Sequence, residues 1–353
     1  MVIGGGIVGL ATAWLLQSRG HAVTVVDPGV HGSQPEGAGS GAALGVLMGQ
    51  VYRRNSGRGW RLRQRSLQLW SQWRRELAVA GEPIPFRAGL LVLAADADEH
   101  RRLERLAESR QRLGMALELW DRNVLQSLQP AVPVRAEAGL FSPCDGQLDP
   151  LAAMGALRAD GLRRGLQVLA ERVVRLGRRP AGWRLLLGGG DQLVVPWVVL
   201  AAGLASTALL QPLGHSWGLE PVLGQALELQ VPTDPEPNWP GSLVWRGWNL
   251  VPQPGGRFWL GASLEPGSKA NPGELLRMSR LGGEAPPWLE QARELRRWQG
   301  LRARPIGRPA PLLELLEPGL VLATGHYRNG VLLAPASAEW VAGQIEAGAN
   351  AWP

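Results

Sequence analysis

The run Gly4-Gly5-Gly6-Ile7-Val8-Gly9 constrains this chain more than any other feature. It has the Gly-x-Gly-x-x-Gly spacing and sits between a short apolar stretch, residues 1–3, and a segment with helical periodicity. That segment, 7–19, repeats apolar residues at Leu10, Ala13, Trp14 and Leu16, and Gly20 stops it. Residues 22–26 then read as a buried strand ending at Asp27-Pro28. Each glycine has a separate reason. Gly4 permits the tight turn, Gly6 lets the backbone approach a diphosphate, and Gly9 lets helix and strand pack closely. The amides of Ile7 and Val8 open the helix and offer free donors and a positive dipole end to phosphates. Asp27 ends the second strand about twenty residues on, where a carboxylate accepts ribose hydroxyls and repels a 2′-phosphate. The pattern expected is strand, turn, helix, strand around a bound dinucleotide, a Rossmann-like unit. Its first strand is short, because Gly4 lies three residues from Met1 and a central strand usually runs about five residues. The expectation is that translation starts further upstream or that this strand is weak.

With 353 residues, 45% of them hydrophobic, the chain has enough material for two domains. No run of eighteen uncharged apolar residues exists, so no membrane span is expected. The first apolar stretch lacks a basic leader and is broken by glycines, unlike a signal peptide. One cysteine, Cys144, excludes an internal disulfide, and a cytoplasmic location is the expectation. Five scattered histidines and one cysteine give no metal-ligand spacing. The net charge of +7 is almost all arginine, with Lys269 the sole lysine. The densest cluster, 53–75, alternates arginine with Leu and Trp, which reads as the solvated face of an amphipathic helix and not as a nucleic-acid patch. Sixteen tryptophans sit in apolar patterns and are expected to pack cores.

Further along, helices are expected over 58–80, 97–113 and from the Asp149-Pro150 cap to 164. Strands are expected at 89–94, 116–120, 167–169, 183–187 and 193–201, the last running into Ala202-Gly203. Short alternating segments at 226–231, 242–245, 250–252 and 258–262 predict an antiparallel sheet, with Pro254-Gly255-Gly256 as one of its turns. The Pro- and Gly-rich stretch 265–287 carries one or two short helices, and a buried strand at 320–324 leads to a closing helix over 331–346.

The glycine fingerprint does not separate NAD from FAD. A second signal does. Gly325-His326-Tyr327-Arg328-Asn329-Gly330 lies between the buried strand and the closing helix, whose first residues are Val331 and Leu332. Such a turn aims a helix N-terminus at something bound centrally. A flavin gains negative charge near N1 and O2 on reduction, and a helix N-terminus there stabilises it. An ordinary glycine turn before a helix is the alternative.

These residues carry a resemblance. Residues 2–10 resemble the opening of the D-amino-acid oxidase family of FAD enzymes, and 325–335 are closer still to glycine oxidases of the thiamine pathway. Gly300-Leu301-Arg302 matches that group, while Pro305-Ile306-Gly307, 146–150, Ala201-Ala202-Gly203 and 221–225 resemble other landmarks. The resemblance implies an α/β protein with a Rossmann-like FAD-binding domain built from 1–88, 150–215 and 300–353. It also implies a smaller α+β substrate domain, 89–149 and 216–299, with an antiparallel sheet over the flavin. Arg302 resembles the arginine that clamps a substrate carboxylate, for which a guanidinium fork is suited. By the same resemblance Arg328 lines the site, Val173 meets the adenine, Ser40 approaches the diphosphate, and Ala202, Gly203, Tyr327 and Asn329 line the cofactor. Asn249 stands where the group has a carboxylate-holding tyrosine; its amide is a shorter donor. His326 is read as structural, and Cys144 as a free thiol. The activity implied is oxidation of a small, glycine-like amino acid or amine to an imine by hydride transfer, serving thiazole assembly for thiamine. Dioxygen or an electron carrier takes the electrons, and a homo-oligomer is compatible with this. A quinone-linked dehydrogenase and a catalytically degenerate flavin-binding protein are the alternatives.

Overall fold

The computed structural model describes residues 1–29, 37–231 and 237–349. Part of the glycine- and serine-rich loop expected over 29–41 lies outside the described residues, while Ser40 lies within them.

One half of the molecule is a six-stranded sheet in the order Leu312–Glu317, Leu320–Thr324, Val198–Leu200, Val2–Ile3, Thr24–Val26, Gln167–Leu169. All neighbours are parallel except the first pair, which is a hairpin. Strand alternation sends Val2, Val25, Val199 and Val321 to one face and Ile3, Val26, Leu200 and Leu322 to the other. The first face is covered by helices Ile7–Ser18, Gly57–Val79, Pro150–Arg163 and Gly330–Ala349. Trp14, Trp70 and Trp73 interlock there, with ring centroids 4.8 and 5.8 Å apart. Their indole N–H groups do more than fill space. Trp70 Nε1 donates to Val331 O at 2.8 Å, fixing the long helix against the start of the last one. The other face is covered by a three-stranded antiparallel sheet, Val173–Arg179, Gly182–Leu187 and Gln192–Val195.

One expected strand is divided. Residues 193–201 were read as one strand, but Gln192–Val195 and Val198–Leu200 belong to different sheets. Pro196 lies between them and removes a ladder donor, so the chain changes layer there. The helix after Asp149 forms as expected: the Asp149 carboxylate accepts from Leu151 N and Ala152 N, and Pro150 takes the first helical position.

The other half is an 11-stranded sheet, predominantly antiparallel. Its main path runs Gly37–Ala38, Arg293–Pro305, Leu219–Gln230, Arg257–Gly261, Trp248–Gln253, Ser242–Trp245, Phe86–Ala94, Ala138–Leu148, Val46–Leu47. The four expected segments pair antiparallel with one another, as expected; the larger sheet they belong to is mixed, because the first pair and the Ser242–Trp245 to Phe86–Ala94 pair run parallel. The hairpin at Pro254-Gly255-Gly256 is present, with both glycines at positive φ. Strands Ala138–Leu148 and Arg293–Pro305 had no clear period in the sequence; the second carries five arginines in thirteen residues.

The two edge strands of this path are close neighbours in sequence. Eight Cα steps from Ala38 to Val46 reach at most about 28 Å, whereas nine strands laid flat would span about 38 Å. The sheet must therefore curve, and its concave side encloses space against the six-stranded sheet.

Candidate functional site

That space is a cavity of about 760 Å³ that reaches from the glycine bend to the curved sheet. At one end the bend has no room for side chains. Gly4 has φ +109°, and a Cβ there would meet the carbonyl of Ala201, just past the neighbouring parallel strand. A Cβ on Gly9 would overlap the Gly4 carbonyl, so Gly9 serves the packing of helix on strand. A Cβ on Gly6 would stand 3.0 Å from Ser40 Oγ. Helix Ile7–Ser18 has no side-chain cap of its own; Ser40 supplies one from the second loop, its Oγ accepting from Ile7 N at 3.1 Å. Asp27, expected at a ribose, holds backbone amides. Oδ2 accepts from Gly5 N and Oδ1 from Gly29 N, both at 2.7 Å, so the carboxylate braces the bend. Each oxygen keeps a further lone pair for a hydroxyl donor. Gly4, Gly6, Ile7, Val8, Asp27, Ser40, Val173, Ala202 and Gly203 all line the cavity, and Glu171 and Arg172 join them without having been anticipated. A bare backbone bend, a helix N-terminus capped only by Ser40 and a carboxylate one strand away fit an adenine dinucleotide.

At the middle of the cavity lies the turn before the last helix. Gly325 has φ +65° in a spot where a Cβ would crowd Pro305, and Tyr327 itself adopts φ +56°. Tyr327 N donates to Ala303 O at 3.2 Å, which ties the turn to the strand that carries Arg302. Asn329 N donates to His326 O, and the helix runs on from Gly330. Tyr327, Arg328, Asn329, Gly330, Val331 and Leu332 all line the cavity. His326 has a structural place. Its ring is buried and Nε2 lies 2.9 Å from Ser337 Oγ. Burial, with Arg58 adding a like charge, pushes it down to about 3, so it is neutral across the working range.

At the far end the curved sheet contributes side chains. Arg302 Nη1 donates to Leu223 O and Ser263 O, each at 3.1 Å, so one edge of the guanidinium is fixed. Nε and Nη2 make no hydrogen bond among the described residues. Burial and the nearby Arg328 push this guanidinium down to about 10, still a cation near neutrality. Gly224 sits under it, and a Cβ there would overlap the guanidinium. Gly224 lies inside a landmark segment of the sequence, but its service to Arg302 arises only when the two strands pair. Asn249 lines the same end. Its Nδ2 spends one N–H on Gly261 O at 3.1 Å, and its enclosed Oδ1 accepts nothing.

One expectation is corrected here. The arginine-rich helix was read as a solvated face, and Arg61, Arg65 and Arg75 are indeed exposed, but Arg63 is only 6% exposed and lines the cavity with Tyr52 and Arg53. The wall it belongs to is held from below by Asp145, whose buried carboxylate accepts from Gly49 N, Gln50 N and Val51 N at 2.7 to 3.1 Å. Cys144, its neighbour, is exposed on the strand and outside the cavity. Among the described residues no cluster could hold a metal ion, and no helix is long and apolar enough to cross a membrane.

Comparison with known proteins agrees with this geometry. Residues 1–344 match the DAO family of FAD dependent oxidoreductases. Glycine oxidase of Geobacillus kaustophilus is 28% identical over 98% of this chain and 92% of its own length. Glycine oxidase of Pseudomonas putida is 30% identical over 96% and 92%. The crystal structure of the Geobacillus kaustophilus enzyme superposes with a TM-score of 0.88 at 27% identity, covering 98% of this chain and 94% of that one. A glycine bend, a carboxylate brace and a helix opening on the cavity fit such a frame, and the family match covers nearly the whole chain: the chain belongs to the DAO family and is an FAD-dependent oxidoreductase.

Proposed function

We propose that this enzyme oxidises a small amino acid of the glycine type to its imine. The observation that supports this is Arg302: a half-buried guanidinium, held on one edge by two carbonyls, with its remaining N–H groups making no hydrogen bond among the described residues, beside the turn that opens the last helix. A fixed guanidinium edge is the partner a carboxylate takes. In this reading Gly4, Gly6, the Val8 amide and Ser40, whose Oγ takes the Ile7 N–H, hold the diphosphate, Asp27 the ribose, Val173 the adenine, and Ala202 and Gly203 the neighbouring cofactor surface. Bound FAD supplies the hydride acceptor. Arg302 binds the substrate carboxylate and fixes the α-carbon, so orientation provides much of the rate. The N-terminus of Gly330–Ala349 places positive dipole where negative charge develops. Tyr327, Arg328 and Asn329 close the turn around that point, and Asn249 has one amide N–H left for the substrate carboxylate. The neutral amine loses its α-hydrogen with both electrons and a proton from nitrogen, leaving an imine. The imine either hydrolyses to an oxo acid or enters thiazole assembly for thiamine.

The six-stranded sheet with 1–88, 150–215 and 300–353 forms the flavin domain in this proposal, and 89–149 with 216–299 the substrate domain. Dioxygen is the proposed acceptor, in the cytoplasm. The test is anaerobic mixing of the purified holoenzyme with a panel of amino acids, followed by admission of air. Bleaching of the flavin by glycine or a close relative, then one peroxide per turnover, is the expected result. Bleaching without peroxide would assign the electrons to a carrier, and no bleaching by any amine would sink the proposal.

A further inference from the structure

Arg63 is a buried cation with no counter-ion. It lies on helix Gly57–Val79 and is 6% exposed, yet it forms no ion pair with any described residue. Its Nη1 donates to Gly59 O at 2.9 Å, within its own helix. Its Nε is enclosed without a partner, and Nη2 makes no hydrogen bond among the described residues. The guanidinium carbon stands 3.7 Å from the centre of the Tyr52 ring. Stacking of that kind fixes the plane of the group and leaves its edge free to donate. A buried charge without a partner is costly, and the residue lines the cavity.

The remaining lining shows what is missing. The only carboxylates among the described lining residues are Asp27 and Glu171, both at the dinucleotide end. The rest of the lining carries Arg53, Arg63, Arg302 and Arg328 and no further acid. Arg63 and Arg302 approach from different walls. Arg302 belongs to the strand next to Gly37–Ala38, one edge of the curved sheet, whereas Tyr52 follows Val46–Leu47, the other edge. Curvature of the sheet brings both edges to one cavity. The diphosphate does not need Arg63, because its seat is the bend at Gly4 to Val8.

We propose that Arg63 is a second anion-binding point in the cavity, one that takes the distal carboxylate of an acidic amino acid whose α-carboxylate sits on Arg302. The inference rests on the amine-oxidising reading above and narrows its substrate class to dicarboxylic amino acids. A substrate with one carboxylate fills only the Arg302 point and leaves Arg63 unpaired.

The test uses the holoenzyme and the variant R63M, which keeps an unbranched side chain of similar length; exchange of a buried charge for an apolar group is commonly tolerated. Two measurements are made. The first is kcat/KM for both enantiomers of aspartate and glutamate, and for glycine. The second needs no turnover: dissociation constants of glutarate and of acetate, read from perturbation of the flavin spectrum. Wild type should favour an acidic substrate. R63M should lose about 30-fold or more on it, the lower end of what removing one member of a buried charge pair costs, with glycine unchanged. Glutarate should weaken alike and acetate should not. R63K, which keeps the charge but not the planar fork, should fall between, and it replaces R63M if that variant does not retain FAD. An unchanged ratio of acidic to neutral substrate, with unchanged glutarate binding, overturns the proposal. So does a shift in flavin midpoint potential with that ratio intact, which would make Arg63 a partner of the flavin. If no amino acid bleaches even the wild-type flavin, the amine-oxidising reading fails, and the glutarate measurement still decides whether the anion point exists.

Discussion

The two ends of the cavity are built from different materials. The end proposed for the dinucleotide is mostly backbone: Gly4, Gly6, the Val8 amide, and the bend braced by Asp27, with the Ile7 amide capped by Ser40. The residues proposed for the substrate act through side chains, with Arg302, Asn249 and Arg63 arriving from a strand near one edge of a curved sheet, a strand in its middle and a helix packed outside it. A backbone seat recognises what all bound dinucleotides share, and it tolerates no added atom. A side-chain seat recognises what distinguishes one substrate from another, and single residues there can change without loss of the fold. Removal of an atom from one end and from the other should therefore produce different kinds of damage.

The largest effect expected is at Gly9. Gly9→Val would drive its Cβ into the Gly4 carbonyl and separate helix from strand, so the variant should purify without flavin or not at all. A yellow, fully loaded Gly9→Val enzyme would show that the bend is not the cofactor seat. Arg302→Ala comes next and should behave oppositely. The flavin stays bound, while kcat/KM for the substrate falls about 100-fold or more, chiefly through KM. Steady-state kinetics alongside a flavin spectrum check both halves of that statement. The smallest effect is at Ser40. Ser40→Ala removes the one side-chain acceptor for the Ile7 amide, a cap of about 0.5–2 kcal/mol. FAD titration of the apoprotein should weaken several-fold, with kcat unchanged once the protein is saturated. A change in kcat instead would move Ser40 from the cofactor end to the chemistry.

The same contrast governs what could be read from the sequence. The bend, helix Ile7–Ser18, Asp27 and the turn at 325–330 are each encoded within a few residues, because a tight turn and a helix start are local demands on glycine and on free amides. The cap at Asp149-Pro150 and the hairpin at Gly255-Gly256 are local in the same sense. Arg63 was not legible. Its helix has a run of arginines spaced as a solvated face would be, and which of them is buried depends on segment 49–54 folding across it. That segment is fastened by Asp145, 94 to 96 residues away, and by Arg110, whose guanidinium donates to the carbonyls of Gln50, Tyr52 and Arg54. Gly224 was hidden for a related reason, since its need to lack a Cβ exists only when it lies across from Gly300 and under Arg302. Pro196, which divides the expected strand, acts through which sheet each half joins.

By itself, then, the sequence determined the glycine fingerprint, the turn before the last helix and the alternation of elements, all features whose physics closes within a turn or two of chain. Tertiary structure alone decided that a mixed sheet curves until its edges meet, which guanidinium is stripped of water, and which glycine makes room for another. Those outcomes depend on atoms far apart in the chain, where periodicity carries no information and only packing selects the partner.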